Sequence, residues 1–288
     1  MIKFGIVGAE NSHCAAIAKI CNVNKAVAAR VAAVWGEAPR FAKAAAEQGD
    51  IPVTVRDWRE MAGIVDGVMI DHRHPDPHYE VARYFINRGL PVFVDKPMTY
   101  RLALAKRLCS LAERKKVPIT SFSVIPLQAS FAAFRKAAGK LGRLAAVTST
   151  GPADLKSKYG GVFFYGIHQV DTVIELLGPD VDTVELKQHG RGGVAILTYR
   201  DGPVVTINCI NNGNHTFHLS AVGEKTVLNA AIAYDDNPYL RGAKLFTQMF
   251  RTGREPYPHR RLLAPVAVLE AMEKSLATKG ARIKVARF

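Results

Sequence analysis

The sequence predicts two domains: an α/β domain on a doubly wound parallel sheet over residues 1–120, and an α+β domain with a large open, mostly antiparallel sheet over residues 121–288. Three observations predict this. Up to about residue 120, short apolar runs alternate with helix-like stretches, the rhythm of parallel strands joined by crossover helices. Beyond residue 121, strand-like runs follow one another with only Gly, Asp and Asn turns between them. The 288 residues, 48% hydrophobic, are enough to bury one large core or two modest ones.

The elements follow in order. IKFGIVG at 2–8 is an apolar run ending in glycine, and SHCAAIAKIC at 12–21 continues at helical period, giving strand, turn, helix. VAARVAAVWG at 27–36 is a second strand. PRFAKAAAEQG at 39–49 is a helix with Pro39 in its first turn and Gly49 past its end. IPVTV is short and extended, DWREMAG is a helical turn, and VDGVMID at 65–71 is a buried strand. HYEVARYFINRG is an amphipathic helix closed by Gly89, LPVFVD is the next strand, and YRLALAKRLCSLAERKK the next helix. VPITSFSVI is then extended, SFAAFRKAAGKLG helical, and LAAVTSTG a strand leading towards GVFFYGIHQVDTVIELLG. The runs VDTVELKQHG, GVAILTYRDG, PVVTINCI, HTFHLSAVG and EKTVLNAAI build the second sheet, and RLLAPVAVLEAMEKSLATKG is a final helix stopped by Gly280.

Composition removes several function classes. No run of 18 apolar residues and no basic, apolar and cleavage-site series at the N-terminus is present, so the expectation is a cytoplasmic chain without membrane association. Cys14, Cys21, Cys109 and Cys209 form no C-x-x-C pair and are read as buried free thiols. The net charge of +14 comes from scattered cations, which favours a solvated basic surface attractive to acidic small molecules over a nucleic-acid face.

In a dinucleotide fold, a G-x-G-x-x-G loop lets the backbone approach a diphosphate and sets it on unpaired N–H groups. Here the three positions are Gly8, Glu10 and His13, and only the first is glycine. Glu10 would repel a diphosphate if it pointed inward. Ala9 lies between, and Asn11, Ser12 and His13 can donate hydrogen bonds or cap the following helix. Further on, VFVDKPMTY ends a strand in Asp95-Lys96-Pro97, which puts an ammonium at the carboxyl edge of a parallel sheet, where ligands of such folds collect.

On these residues the chain resembles the glucose-fructose oxidoreductase, inositol dehydrogenase and MocA family, whose N-terminal Rossmann domain carries a Glu-Lys-Pro motif. GIHQVDTVIELLG reproduces the family's His-x-x-Asp helix in His168 and Asp171, ending at Gly178. The resemblance implies NAD- or NADP-dependent oxidation of a sugar, polyol or sugar acid, or the reverse reduction. It implies that Lys96 orients the reacting hydroxyl and that His168 is the general acid/base. Where family dehydrogenases commonly carry an Asp four residues before the histidine, this chain has Phe164 and then Tyr165, which either substitutes as a proton donor or as a substrate hydrogen-bond partner, or packs a domain interface with the rest of FFY.

The second strand ends without the usual acid. Glu37 can take ribose hydroxyls and favour NAD, while Arg40 can attract a 2'-phosphate and favour NADP. In IDHRHPDPHYE, His72 and His74 are expected to face cofactor phosphates or an anionic substrate, and His78 to open the next helix. The H-x-H-x-D-x-H spacing comes near a metallohydrolase pattern, but Pro77 displaces its last ligand, so no metal is expected. Two other functions stay open: a non-catalytic ligand-binding or sensor protein on the same fold, and a metal-dependent hydrolase or lyase using the His72–His78 loop. An open sheet carrying VAILTY and VVTINCI needs cover, so a homodimer or homotetramer is expected.

Overall fold

The structure, a computed structural model, describes residues 1–288. The chain forms two compact units. The first comprises Met1–Thr99, Ala103–Phe122 and Tyr239–Leu262; the second comprises Tyr100–Leu102, Ser123–Pro238 and Leu263–Phe288. The change of rhythm near residue 120 thus marks one crossing, but Tyr239–Leu262, expected in the second domain, belongs to the first.

The first unit is a six-stranded sheet of β1 (Ile2–Val7), β2 (Ala29–Trp35), β3 (Val53–Thr54), β4 (Gly67–Ile70), β5 (Val92–Val94) and β6 (Ile119–Thr120). The spatial order is β3-β2-β1-β4-β5-β6 and every pairing is parallel, a doubly wound Rossmann arrangement. Strands β4 and β5 are wholly buried, so they read as continuous apolar runs rather than alternating ones. The connecting helices are α1 (Ser12–Ala18, continuing as a wider π-type turn to Val23), α2 (Pro39–Gly49), α3 (His78–Asn87) and α4 (Leu102–Lys115).

No helix is expected between residues 233 and 259, yet α7 (Leu240–Thr252) forms there. It drives Phe246 and Phe250 into the first sheet. Phe246 stacks on Phe93 at 4.7 Å between centroids and meets Phe4 edge-on at 5.6 Å. A Cβ at Gly67 would sit 2.9 Å from the Phe250 ring, so glycine is needed for this close approach.

In the second unit, β7 (Leu144–Pro152), β8 (Val181–His189), β9 (Gly192–Tyr199), β10 (Val204–Ile210), β11 (Phe217–Gly223), β12 (Val227–Ile232) and β13 (Ile283–Lys284) pair in the order β12-β11-β7-β10-β9-β8-β13. Only β7 and β10 are parallel. One face, with Val147, Val205, Ile207, Leu219 and Ala221, is buried beneath α5 (Ala129–Ala138), α6 (Gly166–Leu177) and α8 (His259–Ala277). The other face leaves Val194, Ile196, Val204, Val222 and Val227 exposed. All four cysteines are free and buried, and no helix is long and apolar enough to cross a membrane.

Candidate active site at the edge of the parallel sheet

Three strands end side by side: Val7 pairs with Ile70 and Ile70 with Val94, so the next residues, Gly8, Asp71 and Asp95, form one edge. The ladder extends one step further, with Asp71 N–H donating to Val7 O at 2.7 Å and Asp95 N–H to Ile70 O at 2.8 Å. Gly8 has φ +109°, and a Cβ there would meet the backbone N of His72 at 2.5 Å. That glycine therefore makes room for the β4 edge.

Opposite charges gather on this edge. Asn11 Nδ2 donates to Asp71 Oδ1 at 3.1 Å and Asp95 Oδ2 at 3.3 Å, while its Oδ1 caps α1. His13 Nδ1 lies 3.7 Å from Asp71 and 3.4 Å from Asp95, and Lys96 Nζ lies 3.2 Å from Asp95 Oδ2. The His13 ring packs on Tyr239 at 4.9 Å, a contact supplied by the returning segment.

The electrostatics separate the two carboxylates. Burial pushes Asp71 up to about 7, against the opposing pull of His13 and Lys96. Burial also acts on Asp95, but Lys96 and His13 together hold it well below the usual carboxylate range. For His13, burial and Lys96 act downward, and the two aspartates outweigh them, so it is raised. Asp71 Oδ2 is buried and has no hydrogen-bond partner.

The phosphate-loop region departs from its expected form. Glu37 Oε2 accepts from both Ala9 N–H and Glu10 N–H, each at 2.9 Å. Ser12 is the exposed first residue of α1, and Arg40, exposed on α2, lies over the Phe41 ring. In the histidine loop, burial pushes His72 down to about 3 and leaves its Nδ1 without a partner. The fully buried His78 has its ring nitrogens 3.1 Å from Pro97 O and His72 O, and burial lowers it too. His74 Nδ1 accepts from Asp76 N–H. Neither buried imidazole therefore brings a positive charge to this edge. The side chains close enough to share an ion are instead His13, Asp71 and Asp95, with ligand atoms within 4.8 Å of one another, and Asn11 and Lys96 already engage those carboxylates.

In the second unit, His168 Nδ1 is 2.7 Å from Ser123 Oγ, and Asp171 Oδ2 accepts from Ser123 N–H at 2.8 Å. Tyr165, immediately before α6, has φ +66°, an unusual conformation for a side chain of this size, and its ring lies 5.5 Å from His168. Phe164 packs against Tyr159 and Tyr165. Sequence reasoning missed Asp71, Ser123 and Tyr239 as site residues. The first was legible, because two adjacent parallel strands each end in aspartate.

A nicotinamide dinucleotide fits the residues of the first unit. Two loop amides converge on an anionic oxygen, here Glu37's carboxylate, and two buried polar atoms, Asp71 Oδ2 and His72 Nδ1, lack partners at the same sheet edge. Fold and edge together define an α/β dinucleotide-binding unit. Residues 2–122 match the model of the Gfo/Idh/MocA oxidoreductase family, with its NAD-binding Rossmann fold. The chain is 34% identical over 118 residues to the uncharacterized oxidoreductase YhhX of Escherichia coli, covering 37% of this chain and 34% of YhhX. It is 26% identical over 184 residues to human biliverdin reductase A, covering 59% and 61% of the two chains. It therefore spans about a third and three fifths of these relatives' lengths.

The fold is shared with solved structures. GenD2 from gentamicin A biosynthesis, in complex with NAD, superposes with TM-score 0.86 at 17% identity, covering 99% of this chain and 97% of that one. Scyllo-inositol dehydrogenase from Lactobacillus casei, with NAD(H) and scyllo-inositol bound, gives TM-score 0.86 at 15% identity over 100% of both chains.

Proposed function

We propose that the protein is a nicotinamide-dependent oxidoreductase, moving a hydride between NAD(H) or NADP(H) and a CH–OH or carbonyl carbon of a sugar, polyol or sugar acid. The observation that carries this reading is the Lys96 ammonium beside Asp95, at a sheet edge where Asp71 Oδ2 and His72 Nδ1 await partners. A bound nicotinamide supplies the two-electron acceptor. In this reading Asp95 orients the Lys96 ammonium, and Lys96 donates a hydrogen bond to the substrate oxygen, favouring loss of its proton. His168, oriented through Ser123, takes the hydroxyl proton in oxidation and returns it in reduction. The reading includes self-association through the uncovered face of the second sheet.

The test is titration of nucleotide-stripped protein with NADH and NADPH, followed by nicotinamide fluorescence and by Trp35 and Trp58, and then a sugar and polyol panel. Saturable binding to one nucleotide supports the reading, and no binding up to millimolar concentration removes it. With a substrate in hand, Lys96→Met is expected to lower kcat by about a hundredfold or more while nucleotide affinity changes little. Intact turnover would exclude Lys96 from the chemistry.

A further inference from the structure

The acidic residue after β2 is where a dinucleotide fold reads the adenosine ribose. Glu37 does something else here. Its Oε2 accepts from the amides of Ala9 and Glu10 at 2.9 Å each. These belong to the turn after β1, whose N–H groups point at the diphosphate in such folds. Two amides on one carboxylate oxygen is the geometry of a bound anion, and the anion belongs to the chain itself. Glu37 is exposed, so it reaches the loop from the solvent side and can leave without unpacking the core.

We propose that Glu37 is a built-in competitor for the diphosphate, closing the phosphate loop in the free protein so that a dinucleotide must displace it. This rests on the nicotinamide reading above and adds a regulation of that same site. A ligand that binds only the open loop loses apparent affinity in proportion to the open fraction. Glu37 thus sets the affinity threshold, and any diphosphate, with or without a ribose, meets the same competition. Glu10, at the second glycine position, places another carboxylate on the loop.

The experiment is calorimetric titration of the wild-type protein, Glu37→Gln and Glu37→Ala with NADH and, separately, with inorganic pyrophosphate. Both variants are expected to bind both probes at least about fivefold tighter than wild type. A carboxylate that served the ribose would give the opposite result, with NADH weakened and pyrophosphate unchanged, and that outcome overturns the proposal. So does affinity within twofold of wild type for both probes. Pyrophosphate tightened while no form takes NADH would uphold the closed loop and remove the nicotinamide reading. No form binding either probe would remove both. Thermal melts of the two variants within a few degrees of wild type would exclude misfolding as the source of any loss.

Discussion

Asp71 is the residue at which burial and chemistry conflict most. It is fully buried, one oxygen accepts from Asn11, and the other has no partner. Its carboxyl lies near 7 in the folded chain against 3.8 in the open chain. Between these values the folded protein binds the extra proton, so this group's contribution to stability falls as pH rises from about 4 to about 7. Asp71→Asn removes that penalty. The melting temperature of the variant relative to wild type should therefore rise from pH 5 to about pH 7 and level off above it; a constant or shrinking difference across that range would show that His13 and Lys96 already neutralise Asp71. The sequence carried the means to place this residue, since VMID and VFVD are adjacent parallel strands with the same ending. It carried no sign that Glu37 would hold the Ala9 and Glu10 amides, because which carboxylate reaches a loop depends on the path of β2 and its turn.

At the scale of elements, α7 and the start of α8 tie the returning segment to the first unit. Gly67→Ala would push a methyl into the Phe250 ring and is expected to cost about 1–3 kcal/mol, read by denaturant unfolding. A cost below about 0.5 kcal/mol would mean that α7 shifts freely on the sheet. His259, at the start of α8, bonds Glu255 at 3.1 Å and Glu113 of α4 at 3.2 Å, and Glu255 also accepts from Ile119 N–H. The Glu255 hydrogen bond raises His259 above 6.5, so its stabilisation is full below that pH and is lost as pH rises through the folded value. His259→Gln should lower the melting temperature more at pH 6 than at pH 8.5, and an equal loss at both would exclude the charge as the cause. The helical spacing of Leu240, Ala243, Phe246 and Phe250 is legible in the sequence, although no helix is expected there. VPITSFSVI, read as extended, keeps only the two residues of β6 in the ladder. Ser123 leaves the sheet because its amide and hydroxyl are committed to Asp171 and His168.

Across the whole molecule, the second sheet presents a continuous uncovered row. Register places Thr198, Val204, Ala146, Val222 and Val227 next to one another across five strands. Threonines on the same face pair across strands, Thr148 with Thr206 and Thr183 with Thr198. If two copies pair through this face, Val204→Lys combined with Val222→Lys should shift sedimentation towards a monomer with the melting of each unit retained. An unchanged assembly would place the interface elsewhere.

Neighbouring residues alone dictate the strand and helix periods, the parallel first sheet, the open second sheet, and an acid-lysine-proline turn at a strand end. Those features depend on side-chain alternation and on backbone propensity within a few residues. Tertiary contacts set the rest: Asp71 stands beside Asp95 with one oxygen unpartnered, Tyr239–Leu262 returns to the first unit, His72 and His78 are held neutral, and Glu37 occupies the phosphate-loop amides. Each of these depends on burial and on contacts across tens of residues, where the desolvation of a charge and the reach of one side chain outweigh local preference.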